Sequence, residues 1–115
     1  MQIRDETANA VLATGATEAT SAFARFRGLM LKPRLSPGAA LVIRPCGSIH
    51  MMFMRFSIDA VFFDRELRVT RVARGVRPWI GVAFGGRGAA GVVELPRGTA
   101  ASTATGNQLR FDRTG

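Results

Sequence analysis

The stretch that decides the fold runs Ile58-Asp-Ala-Val-Phe-Phe-Asp-Arg-Glu-Leu-Arg-Val-Thr-Arg-Val-Ala73. Ile58 to Phe63 is a short apolar run suited to a buried strand, with Asp59 and Asp64 near its ends. Asp64, Arg65 and Glu66 read as a hairpin tip. From Leu67 to Ala73 a second strand follows, in which Leu67 and Val69 alternate with Arg68 and Thr70. Val72 breaks that alternation, which predicts a bulge or an ending there.

Working outward from this hairpin, the same reading recurs. Ala39 to Ile43 is an apolar run behind the turn residues Ser36, Pro37 and Gly38. Arg77-Pro-Trp79 opens a segment that ends near Phe84, and Gly85 to Gly88 form a flexible tip. Gly91 to Leu95 is a strand stopped by Pro96. Gly98 to Thr105 is small and polar and suits a single helical turn. Gln108 to Phe111 is a last strand, and Gln2 to Thr14 reads as a hairpin of two short strands. One segment has a helical period: Thr20 or Ser21 supplies an N-cap, and Phe23, Phe26 and Met30 share a face. Gly28 weakens that helix and Pro33 closes it. The expected fold is mainly β (a β-rich α+β class) in one domain over residues 1–115. It is a compact, barrel-like antiparallel sheet with one main helix near residues 20–31, because many short strands close on themselves to hide their edges.

Composition narrows the function classes. The chain has 115 residues, 47% hydrophobic and 21% charged, which is a globular balance. One cysteine excludes an internal disulfide and fits a reducing, cytoplasmic setting. Its start lacks a basic-then-apolar signal pattern, and no apolar run is long enough for a membrane span. The net charge is +8 and the pI about 11.7. Lys32 is the lone lysine among sixteen basic residues; the rest are arginines spread along the chain. A scattered bias of this kind reads as codon composition as much as a binding stripe, so nucleic acid is a secondary expectation.

The densest chemistry lies in Arg44-Pro-Cys-Gly-Ser-Ile-His-Met-Met-Phe-Met-Arg-Phe-Ser-Ile-Asp59, which holds the one Cys, the one His and three of the five Met residues. A nucleophilic site would use Cys46 as thiolate, His50 as base and Asp59 as orienter. A metal site would draw on the same three, with Met52 and Met54 as soft ligands beside His50. Set against these are plain alternatives: a buried thiol, a hydrogen-bonded histidine and methionines that fill core gaps. Gly85-Gly-Arg-Gly88 lacks the ending of a phosphate loop and reads as a hairpin tip. Phe53, Phe56, Trp79 and Phe84 beside basic groups would suit base stacking, although most phenylalanines are core residues.

These segments also carry a resemblance. Arg27-Gly-Leu-Met30, Arg44-Pro-Cys-Gly-Ser-Ile-His50, Phe53 to Asp64, Arg77-Pro-Trp79 and Val93-Glu-Leu-Pro-Arg-Gly98 occur in the order and spacing of a known group. From about Thr20 to Phe111 the chain resembles the small prokaryotic proteins grouped as domain of unknown function family 192. The resemblance implies a compact, barrel-like β domain with a helix near the Arg-Gly-Leu motif, and no activity to transfer. Met51, Met52, Ser57, Ile80 and Asn107 depart from the usual residues of this branch. Cys46, Ser48, His50, Met54, Arg55 and Asp59 match it. The expectation is a non-enzymatic module that binds a small anionic ligand or a protein partner at Cys46, Ser48, His50, Arg55 and Asp59. No metal or cofactor is expected, and Cys46, His50 and Asp59 remain the candidates should the chain be an enzyme.

Overall fold

Every residue of strand β6, Ile58–Phe63, is buried, and so are the first five of β9, Gly91–Pro96. Continuous burial means that both faces of the strand meet protein. The computed structural model, which describes residues 1–19, 35–51 and 54–113, shows how. Its strands are β1 (Gln2–Asp5), β2 (Ala10–Ala13), β3 (Gly15–Ala19), β4 (Ala39–Ile43), β5 (Ser48–His50), β6, β7 (Val69–Val76), β8 (Val82–Phe84), β9 and β10 (Leu109–Asp112).

They form three hydrogen-bonded sheets: five strands in the order β3-β4-β9-β6-β7, three in the order β10-β1-β2, and the ribbon β5-β8. All pairings are antiparallel except β3 with β4. Alternation along the five-stranded sheet builds two cores. Val42, Val61, Val93 and Leu95 pack with Ile3, Leu12 and Leu109 of the three-stranded sheet. Ile43, Ala60, Phe62 and Val92 point the other way and pack with Ile49 and Ala83 of the ribbon.

The five-stranded sheet is therefore the middle layer of an open stack, and the barrel expected from the sequence does not form. The strands divide among three sheets, and β7 ends the central one with Arg71 and Arg74 exposed along it. Charged residues and local twist are the usual protection for an edge that is not closed. The pairing of β6 with β7 has two register shifts, between Ile58 and Ala60 and between Phe62 and Phe63; Val72, the position expected for a bulge or an ending, pairs with Val61, and the strand runs on to Val76. The helix expected near residues 20–31 lies outside the described residues, and among the described residues there is no helix. Gly98 to Thr105 is a run of turns, with Thr99 N–H donating to the Pro96 carbonyl and Thr103 N–H to that of Ala100.

Arg44 ties the three-stranded sheet to the central one. Its guanidinium donates two hydrogen bonds to Glu18, at 2.5 and 3.1 Å, and lies 5.9 and 5.4 Å from the ring centres of Phe63 and Phe111. Arg113 meets the same carboxylate at 2.7 Å. The Arg44 hydrogen bond holds the Glu18 carboxyl below the usual range, against desolvation that would raise it.

Asp59 is 1% exposed and points from β6 toward the three-stranded layer. Its carboxylate accepts three backbone N–H groups: Gly75 at 3.0 Å, Gly98 at 2.9 Å and Ala100 at 3.0 Å. Gly75 and Gly98 have φ of +60° and +92°, and these left-handed positions aim their N–H groups at one point. Arg74 closes the bracket by donating to the Ala100 and Thr103 carbonyls. Asp59→Ala would leave these donors without an acceptor, so a loss of about 3 kcal/mol is expected in urea unfolding. A change of only a few tenths would show that the loop does not depend on this carboxylate.

Candidate functional site

The ribbon β5–β8 is built from the chemistry-rich segment on one strand and an apolar stripe on the other. A cis Arg44–Pro45 peptide follows β4, and Cys46 N–H donates to the Ala90 carbonyl. In the ladder, Ser48 faces Phe84, Ile49 faces Ala83 and His50 faces Val82. Ile49 and Ala83 are buried toward the core beneath. The outward face presents Ser48, Val82 and Phe84 instead, with Val82 58% and Phe84 61% exposed. The large apolar side chains of β8 thus point to solvent and the small one points in.

The turn that leads into β8 extends the stripe. Gly81 N–H donates to the Arg77 carbonyl at 3.0 Å, and a Cβ at Gly81 would run into that carbonyl, so only glycine fits. Trp79 has φ +68°, a conformation that costs a bulky residue on the order of 1–3 kcal/mol. It is held there by a 2.7 Å hydrogen bond from its N–H to the Met51 carbonyl. Trp79 is 51% and Ile80 74% exposed at the tip. Four exposed large apolar side chains within six residues are a mark of an interaction site.

The residues singled out in the sequence scatter around this ribbon. Cys46 is half-buried, its thiol donating to the Ser48 carbonyl at 3.0 Å, and it lines an open cleft of about 770 Å3 with Asp64, Arg65 and Glu66. Ser48 lies on the outward face, and His50 occupies the register position opposite Val82. Arg55 is exposed, one residue beyond the turn in which Met54 N–H donates to the Met51 carbonyl. That same carbonyl anchors Trp79. Asp59 is on the far side of the central sheet with both oxygens engaged, so it is not assembled with Cys46. Met54 is buried in the core beneath the ribbon, and Met52 and Phe53 lie outside the described residues. Among the described residues no three His, Cys, Asp or Glu side chains stand together as metal ligands.

One group went unread in the sequence. Glu94 is 7% exposed on β9 and sits in the cross-sheet row Leu41–Glu94–Ala60–Ala73. Desolvation in that apolar row pushes its carboxyl up to about 7. The available signal was a lone carboxylate inside the apolar run Gly91-Val-Val-Glu-Leu95. The folded state holds this proton up to about pH 7 and the unfolded chain releases it near 4.5, so stability falls as pH rises between those values. Glu94→Gln should remove that decline, whose full span is about 3 kcal/mol. Denaturant midpoints measured across this range check it, and parallel curves for the two proteins would contradict it.

Residues 3–111 match the model of domain of unknown function family 192, described as "Uncharacterized ACR". Over 80 residues the chain is 40% identical to a UPF0127 protein of Thermococcus sibiricus, covering 66% of this chain and 51% of that one. The chain thus spans about half the length of that relative. A solved structure of a protein of unknown function from Novosphingobium aromaticivorans superposes with a TM-score of 0.76 at 18% identity, over 84% of this chain and 74% of that one. A second, from Sinorhizobium meliloti and assigned only provisionally as a transcription regulator, gives 0.75 at 18% identity over 83% and 79%. At such identities these structures share the fold. The match over nearly the whole length establishes that the chain belongs to the domain of unknown function 192 family.

Proposed function

We propose that this chain is a non-enzymatic binding module whose contact surface is the outward face of the β5–β8 ribbon. The observation that carries this reading is the orientation of β8: Val82 and Phe84 face solvent while Ala83 takes the core position. Water around such a stripe is displaced at a gain when a partner covers it. Ser48 is exposed on the strand opposite and adds a hydroxyl to the same face. Arg55 is exposed one residue after Met54, and its guanidinium can hold a carboxylate or phosphate through two parallel hydrogen bonds. Asp59 serves the site at a distance by holding Gly75, two residues before the Arg77–Gly81 turn.

The partner is anionic in this reading. Residues 44–58 and 71–93 contain six arginines and no Asp or Glu; Arg44 is engaged with Glu18 and Arg74 with the Ala100 and Thr103 carbonyls, and Arg55, Arg71, Arg77 and Arg87 are exposed. A catalytic site on Cys46 and His50 has less support, because its expected orienter Asp59 is spent on backbone groups elsewhere. Nucleic acid draws support from the exposed rings of Trp79 and Phe84, but Ile80 and Val82 between them offer no stacking surface.

A photo-reactive amino acid at position 82 tests the reading, with position 9 on the far turn between β1 and β2 as control. In the native host, position 82 should give a discrete adduct, polypeptide or lipid, that position 9 does not. Phe84→Asp should reduce it by about tenfold or more, as loss of an interface anchor does. The same substitution should leave unfolding almost unchanged, because position 84 is exposed. Adducts that are absent, equal at both positions, or indifferent to Phe84→Asp would overturn the proposal.

A further inference from the structure

The charges are distributed unevenly over this fold. Among the described residues the ion pairs gather at Glu6, Glu18 and Asp112, on the side of the three-stranded sheet and β3. Asp64 and Glu66 line the cleft with Cys46 and Gly47, and the Gly47 carbonyl accepts from Gly85 N–H at the Phe84 end of the ribbon. At the opposite end, the Arg77–Gly81 turn projects Trp79 and Ile80; Arg77 is exposed in the same turn, and the exposed Arg55 follows Met54, whose N–H shares the Met51 carbonyl with that of Trp79. The Met51 carbonyl fixes this arrangement, since it accepts from both the Trp79 and the Met54 N–H groups. An apolar tip with a tryptophan, rimmed by arginines and continued by Val82, matches the layering of a lipid interface. There, apolar side chains enter the acyl boundary, an indole sits at headgroup level and guanidinium groups meet phosphates. An acidic polypeptide would satisfy the arginines, but it gives less reason for a tip whose isoleucine is 74% exposed.

We infer that the Trp79–Ile80 turn, with Val82, Arg55 and Arg77, is a peripheral contact site for an anionic lipid surface. This rests on the binding face proposed above and names its occupant. The interaction is superficial: three apolar side chains enter the interface and the strands stay outside it.

Trp79 is the chain's single tryptophan and reports directly on the site. The full chain is mixed with phosphatidylcholine vesicles, with and without phosphatidylglycerol as a minor component, and followed by co-sedimentation and tryptophan emission. Phosphatidylglycerol vesicles should sediment the protein and shift Trp79 emission to the blue, while phosphatidylcholine alone should do neither. Ile80→Ser with Val82→Ser should weaken binding at least about tenfold, from the apolar area no longer buried. Arg55→Gln and Arg77→Gln should each cost about fivefold. All four positions are exposed, so circular dichroism should show the variants folded.

Absence of binding to phosphatidylglycerol vesicles overturns the lipid assignment. So does wild-type sedimentation by the Ile80/Val82 variant, which would mean attraction by charge alone. An equal blue shift with soluble polyglutamate or a short DNA would assign the face to an acidic polypeptide or a nucleic acid instead. If vesicles fail while the adduct at position 82 persists on a polypeptide, the lipid inference falls and the binding module stands. If neither the adduct nor vesicle binding responds to changes in the stripe, both fall.

Discussion

Strands β6 and β9 lie side by side in the middle of the five-stranded sheet with protein on both faces. Neither strand has a solvated side on which to place a charge, so each of their two carboxylates has to be accommodated inside. Asp59 and Glu94 show two solutions to that problem. Asp59 lies near the end of β6, where turns approach, and it collects three backbone N–H groups that would otherwise need acceptors of their own. Glu94 lies in mid-sheet among Leu41, Ala60 and Ala73, and burial favours its neutral form. One carboxylate therefore organises a loop, and the other makes the sheet sensitive to pH.

The same two-sided burial explains why the ribbon is where a partner would be met. A central sheet needs a cover on each face. The three-stranded sheet supplies a broad one with Ile3, Leu12 and Leu109, cross-linked at its margin by Arg44, Glu18 and Arg113. On the other face, the described ribbon residues that are buried beneath it are Ile49 and Ala83. A two-stranded ribbon has an outer face of its own, and here that face carries the larger apolar side chains. The cover of one core is thus also the exposed surface of the molecule.

Two solved structures at 18% identity share the fold, with TM-scores of 0.76 and 0.75. Packing rules tolerate many sequences in one architecture, and function lives in sites set upon it. The contrast within this chain is instructive. Asp59, in the Phe53–Asp64 motif, is spent on the bracket that holds the Gly98 loop, a role in folding. The apolar tip at Trp79 and Ile80 is exposed instead.

Several strands were determined by the sequence alone. Ala39–Ile43, Ile58–Phe63 and the run from Gly91 were readable because an apolar run between turn residues has few other uses, and the hairpin tip at Asp64 followed from its turn chemistry. It missed β3, whose Gly-Ala-Thr-Glu-Ala composition has little β propensity and which pairs in parallel with β4 through contacts distant in sequence. It could not choose between a barrel and stacked sheets, because closure depends on which edges meet and local patterns are blind to that. Among the site candidates, the sequence grouped Asp59 with Cys46, Ser48, His50 and Arg55. Only the tertiary structure separated them. Side chains alternate across a strand with period two, and β6 turns Asp59 toward one layer while the ribbon lies on the other. Burial of Ala83 in place of Val82 and Phe84 was likewise decided in three dimensions: hydrophobic pattern says that a strand has two faces, and only its partners say which one is covered.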